Sequence, residues 1–191
     1  MRVGDGVDMV SIMEETQVSQ DDDGRIFVEV GPKGCCSAFS AVAAVEGAVK
    51  IKTGNLIPLS EQQLIDCATD NGNQGCGGGL MDLAFDYIMQ NQGLSSETDY
   101  PYEGIERTCE MTYTPAAKIT RYEDVLANSE KDLLIAARNQ PVSVAIKVGD
   151  TFKNYQHGIY TGDCGTNLNH GVTLIGYGTN EDCTKYWLTK N

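Results

Sequence analysis

Apolar positions along the chain fall into two regimes. Between residues 36 and 52, Phe39, Val42, Val45 and Val49 recur at helical spacing. That period predicts a helix, and its small residues (Ala41, Ala43, Ala44, Gly47, Ala48) suit one buried on most sides. Thr53-Gly54-Asn55 is its stop. Ser60-Glu61-Gln62-Gln63 has the form of a capping box, in which Ser60 and Gln63 satisfy each other's free N–H groups, so a short second helix starts at Leu64-Ile65. A third helix is predicted over about 80–90, with Leu83, Ala84, Tyr87 and Ile88 inward and Gly93 ending it.

After Tyr113 the period changes. Residues 116–121 read as a strand, and Ser129-Glu130-Lys131-Asp132 caps a helix that ends before Pro141. Val142, Val144, Ile146 and Val148 alternate with Ser143, Ala145 and Lys147, the pattern of a half-buried strand. Residues 171–177 and 185–190 predict two more strands. A helical half followed by a sheet half gives an α+β class with two lobes, about 31–113 and 114–191. Residues 1–30 follow neither pattern. They hold the acidic run Asp21-Asp22-Asp23 and one candidate strand at 25–30, and are read as a poorly ordered leader.

Charge narrows the choices. Twenty-seven Asp and Glu against 14 Lys and Arg leave a net charge of −13, which repels phosphate backbones and anionic lipid. Nucleic-acid binding and membrane docking are therefore not expected. No apolar run is long enough to cross a bilayer. The opening Met1-Arg2-Val3-Gly4-Asp5-Gly6 lacks the apolar core of a signal peptide. Seven cysteines are many, and an odd number leaves at least one thiol unpaired if the others form disulfides. None of them are spaced Cys-x-x-Cys, and adjacent Cys35 and Cys36 make a poor chelate, so neither a metal nor any other cofactor is expected.

The candidate chemistry starts at Cys36. It sits at the predicted N-terminus of the first long helix, where unpaired N–H groups and the helix dipole favour a thiolate. A nearby imidazole would complete its activation, and the chain has two histidines, His157 and His170. Gly34-Cys35-Cys36-Ser37-Ala38-Phe39-Ser40 resembles the nucleophile segment of papain-like cysteine proteases, in particular a plant senescence-type branch. Further matches follow in family order. They are 59–67 (Leu-Ser-Glu-Gln-Gln-Leu-Ile-Asp-Cys), 75–82 (Gly-Cys-Gly-Gly-Gly-Leu-Met-Asp), 100–104, 140–144, 169–172 and 186–191.

The resemblance implies a helical left lobe, a β-barrel-like right lobe and an active site in the cleft between them. It assigns Cys36 as nucleophile, His170 as general base and Asn191 as the amide that orients the imidazole; His157 matches no catalytic position. Gly78 and Gly79 match the segment that pairs with a substrate backbone, where only glycine allows close approach. Leu80, Met81, Ala145, Leu168 and Gly171 match the lining of the pocket for the second residue before the scissile bond, and imply an apolar preference there. Cys67 and Cys109 match a family disulfide. The implied protein is a monomeric endopeptidase of the vacuole, the lysosome or the extracellular space. Its partners would be peptide or protein substrates and cystatin-like inhibitors.

The chain also departs from the family pattern. Val30 stands where the family places the glutamine of the oxyanion hole, Ser37 where a tryptophan follows the nucleophile, and Lys33 where a cysteine would pair with Cys76. That leaves Cys76 without its usual partner unless Cys35 reaches it. The chain stops at Asn191, before the family's last barrel strands and before a partner for Cys164, and Cys183 is expected to be free. It therefore reads as truncated, with an incomplete barrel. The alternative function is that of a catalytically impaired relative binding peptides or inhibitors.

Overall fold

Helix α1, Cys36–Thr53, forms where the alanine-rich period predicts it. The computed structural model describes residues 7–11, 35–69, 72–110, 113–152, 155–162 and 165–191. Gly54 ends α1 at φ 77°, a left-handed conformation that glycine adopts without steric cost, and its N–H donates to the Lys50 carbonyl. Val42, Val45 and Val49 are buried along with Ala41, Ala44 and Ala48, so the helix is enclosed on most sides. Helix α2, Glu61–Cys67, begins with Ser60 accepting the Gln63 N–H at 2.9 Å. The reciprocal half of the capping box does not form. Gln63 Oε1 instead accepts the Ser95 N–H, and the Ser60 N–H donates to the Ser95 carbonyl. A tertiary partner has displaced the local one.

Helix α3, Met81–Gln90, buries Met81, Ala84, Phe85 and Ile88, whereas Leu83 and Tyr87 are only half-buried. The buried face is thus turned from the expected one, because Phe85 packs toward Tyr122. That tyrosine lies on β2, Ile119–Asp124, which starts later than expected. Ala117 bridges Leu94 and so belongs to a separate antiparallel contact. Helix α4, Glu130–Asn139, is capped by Ser129, whose hydroxyl accepts the Asp132 N–H.

The sheet has the order β2-β1-β3-β4-β5, where β1 is Val7–Ser11, β3 Val142–Ile146, β4 His170–Thr179 and β5 Lys185–Lys190. Strand β1 runs parallel to β2 and β3, while β3, β4 and β5 are antiparallel. Residues 7–11, read from the sequence as part of a leader, therefore supply a strand. The candidate strand at 25–30 lies outside the described residues, as do Val30 and Lys33. Among the described residues the sheet is open, not closed into a barrel.

Two apolar clusters form. One lies among α1, α2 and α3 and takes in Ala117 and Ile119, so it extends past residue 113; the other lies between α4 and β3–β5. Between them α1 crosses the β3–β4 pair. Register places Ser143 opposite Thr173 and Ala145 opposite Gly171. Residues two apart on a strand share a face, so this face of β3–β4 is built of small side chains. The helix comes close: a Cβ on Gly171 would lie 3.4 Å from the Cys36 carbonyl oxygen, and one on Gly47 would run into the Pro141 ring. Among the described residues, no helix is long and apolar enough to cross a membrane.

Candidate active site

Cys36 is the first residue of α1, so its thiol sits beside N–H groups that have no partner within the helix. The preceding residue, Cys35, is 1% exposed and bonded to Cys76. That bridge ties the turn Gly75–Gly77 to the start of α1. It also answers the question the sequence leaves at Cys76: with Lys33 at the usual partner's position, Cys35 reaches across. Cys67–Cys109 forms as the resemblance implies. Cys183 is free and exposed, and Cys36 is free and half-buried.

His170 opens β4, opposite Ile146. Its Nε2 and Asn191 Oδ1 are 2.5 Å apart. The amide oxygen can only accept, so Nε2 donates and Nδ1 is left to face the Cys36 thiol. Each group shifts the other. Burial pushes the Cys36 thiol up, but the His170 hydrogen bond, the Gly171 N–H, the His170 charge and the Ser37 N–H together hold it below its ordinary value. The hydrogen bond with Cys36 raises His170, burial works against it, and the Asn191 hydrogen bond and the Cys36 charge raise it further. The arrangement favours thiolate and imidazolium over two neutral groups.

Of the other sequence candidates, Met81, Ala145 and Gly171 lie together beside Cys36. Gly78 follows the turn Gly75–Gly77 at φ 120°, a conformation that L side chains rarely adopt. Gly79 has no room for a Cβ, which would strike Asn73 Oδ1. Asn73 is itself buried and accepts the Leu80 N–H at 2.8 Å, so the glycine turn is held from inside. Leu80 is 47% exposed. Met81 is buried, with its sulfur 3.1 Å from where a Gly171 Cβ would be, and Gly171 pairs with Ala145. Cys36, Met81, Gly171 and Ala145 therefore meet at one place. Leu168 is half-buried two residues before His170. His157 is exposed.

Ser40, Ser143 and Thr173, all buried, form a hydrogen-bonded group one turn along α1 from Cys36. The sequence gives no sign of it beyond hydroxyls at positions that an apolar strand would fill with valine. No group of three or more His, Cys, Asp or Glu residues with metal-binding geometry occurs among the described residues.

A thiol at a helix start and an imidazole at a strand start, the latter held by an amide, are the parts that nucleophilic chemistry by a thiol requires. Residues 29–191 match the papain family of cysteine proteases, and the chain belongs to that family. It is 55% identical over 162 residues to the senescence-specific cysteine protease SAG39 of Oryza sativa subsp. indica, covering 84% of this chain and 48% of that one. To the vignain of Ricinus communis it is 52% identical over 164 residues, covering 84% and 45% respectively. The chain thus spans about half the length of these curated relatives. Among solved structures, the bromelain protease of Ananas comosus, in complex with the E64 inhibitor, superposes with a TM-score of 0.80 at 44% identity. That match covers 84% of this chain and 74% of bromelain, and it carries the papain-like fold.

Proposed function

We propose that this chain is a cysteine-type endopeptidase in which Cys36 is the nucleophile, His170 the proton carrier and Asn191 the group that orients it. The observation carrying the reading is the assembled set: a thiol at a helix start, hydrogen-bonded to an imidazole whose far nitrogen is held by Asn191. The Cys36 thiolate attacks the scissile carbonyl carbon, and the resulting oxyanion is met by the Cys36 backbone N–H. His170 then gives its proton to the leaving amine, which departs as the thioester forms. Water, deprotonated by His170, attacks the thioester and releases the acid and the thiol.

Substrate lies extended along Gly78 and Gly79, with an apolar second residue against Leu80, Met81, Ala145, Leu168 and Gly171. With Val30 at the glutamine's place, one side-chain donor to the oxyanion is absent. A lost donor costs about 3 kcal/mol, roughly a hundredfold or more in rate, so turnover is slow for the family. Residues 31–191 act as one monomeric unit that cystatin-like inhibitors also recognise. The two described disulfides fit the setting of a vacuole, a lysosome or the extracellular space. The assembled thiol–imidazole pair favours slow catalysis over a role in binding alone.

The test uses fluorogenic dipeptidyl substrates that differ only in the second residue. Slow hydrolysis with Phe or Leu as the second residue, weaker hydrolysis with Asp there, and none by Cys36→Ala is the expected pattern. Hydrolysis that survives in Cys36→Ala would overturn the reading.

A further inference from the structure

Cys36 and His170 lie on different elements, and neither described disulfide ties one to the other: Cys35–Cys76 and Cys67–Cys109 both close loops within residues 35–109. The separation and angle of the pair therefore depend on how α1 docks on β4. At the crossing Gly171 and Ala145 let the helix come close, and steric contact of that kind limits its approach but does little to fix its rotation or slide.

One place is different. The Ser40 carbonyl accepts hydrogen bonds from Ser143 Oγ at 3.0 Å and Thr173 Oγ1 at 3.1 Å, while Ser40 Oγ donates to the Val172 carbonyl at 2.7 Å. Ser143 and Thr173 face each other across the β3–β4 ladder, so two strands grip one peptide of the helix. Exposure is 2% at Ser40, 0% at Ser143 and 1% at Thr173. Away from water such bonds are strong and directional. Ser40 is four residues from Cys36, about 6 Å along the helix axis. Thr173 is three residues from His170, about 10 Å along the strand.

We propose that Ser40, Ser143 and Thr173 are positioning residues for the reaction: their three hydrogen bonds set the rotation of α1 on the sheet, and so the geometry of Cys36 against His170. The inference rests on reading those two residues as the reacting pair. Misplacement by about 1 Å far from the chemistry can cost about a hundredfold in rate. Rotation of α1 would act first on the Cys36–His170 hydrogen bond, and so on how much thiolate exists at mildly acidic pH.

The experiment measures the rate of iodoacetamide alkylation at the Cys36 peptide, by mass spectrometry, from pH 4 to 10. It compares the unaltered chain with Thr173→Val, Thr173→Ser and the Ser143→Ala/Thr173→Val double variant, with thermal melts alongside. Thr173→Val is close to isosteric and lacks only the hydroxyl; Thr173→Ser keeps the hydroxyl and loses a methyl. The double variant should move the acid limb of the profile up by about one pH unit, so that alkylation at a given pH on that limb is about tenfold slower. Thr173→Val should move the limb partway, and Thr173→Ser should leave it in place even if its melting temperature falls. Unchanged limbs in Thr173→Val and in the double variant, with only melting temperatures lowered, would overturn the proposal while leaving the reacting pair intact. An ordinary-thiol profile in the unaltered chain would overturn both readings together.

Discussion

Cys36 and His170 shift in opposite directions, and the signs define a pH window. The thiol becomes thiolate at a pH below its ordinary 9.0, and the imidazole stays protonated above its ordinary 6.5. Turnover should therefore rise along an acid limb set by Cys36 and fall along a basic limb set by His170. His170→Ala should return Cys36 alkylation to the range of an ordinary thiol; an unmoved profile would separate the two residues. Glu61 gives a second residue-scale test. Burial raises its carboxyl to about 7, with its own N–H opposing the rise, Glu46 and Glu97 adding to it and Lys190 again opposing. A raised folded value means a stabilising contribution fully present below about 4.5 and lost as pH rises through about 7. Glu61→Gln should accordingly raise the melting temperature at pH 8 and leave it nearly unchanged at pH 4. Cys36, His170 and Asn191 were legible in the sequence because each stands inside a motif whose order survives. The Cys35–Cys76 bridge was legible only as an alternative to an unpaired Cys76, since pairing depends on which sulfurs meet in space.

At the scale of elements, period and punctuation carried most of the reading. α1 was legible because alanine and valine recur on a helical period and Gly54 supplies the left-handed cap. β2 was placed too early because Ala117 has strand-like neighbours yet pairs with Leu94 outside the main sheet. Half the capping box at Ser60 failed because Gln63 had a better partner in Ser95. Gly47 sets two effects against each other. Replacing a helix-interior glycine by alanine ordinarily stabilises by about 1 kcal/mol. Here the new methyl would meet the Pro141 ring where α1 crosses the start of β3, and overpacking typically costs about 1–3 kcal/mol. The clash should win, so Gly47→Ala should lower the urea midpoint; a raised midpoint would mean that the helix has room to move.

Among the described residues, two apolar clusters, two disulfides and an open sheet hold the molecule together. The strand at Val7–Ser11 sits between β2 and β3, in a segment whose composition gave no strand pattern. Strand pairing there comes from backbone contacts that hydrophobic alternation does not encode. The two bridges span 41 and 42 residues, loops for which closure entropy predicts about 4 kcal/mol each. Non-reducing peptide mapping should find Cys35–Cys76 and Cys67–Cys109, with Cys36 and Cys183 open to alkylation. Reduction should lower the melting temperature. A Cys36–Cys76 bridge as the main species would contradict the arrangement at Cys36.

The central claim is that Cys36, armed by His170, is the reactive thiol. It is tested most directly by titrating the chain at pH 6 with an epoxide that alkylates active-site thiols, then locating the adduct by mass spectrometry. The account predicts one equivalent bound at Cys36, much slower labelling in His170→Ala, and none at that position in Cys36→Ala. Labelling at the exposed Cys183 in preference to Cys36, or labelling of Cys36 at the same rate without His170, would contradict it.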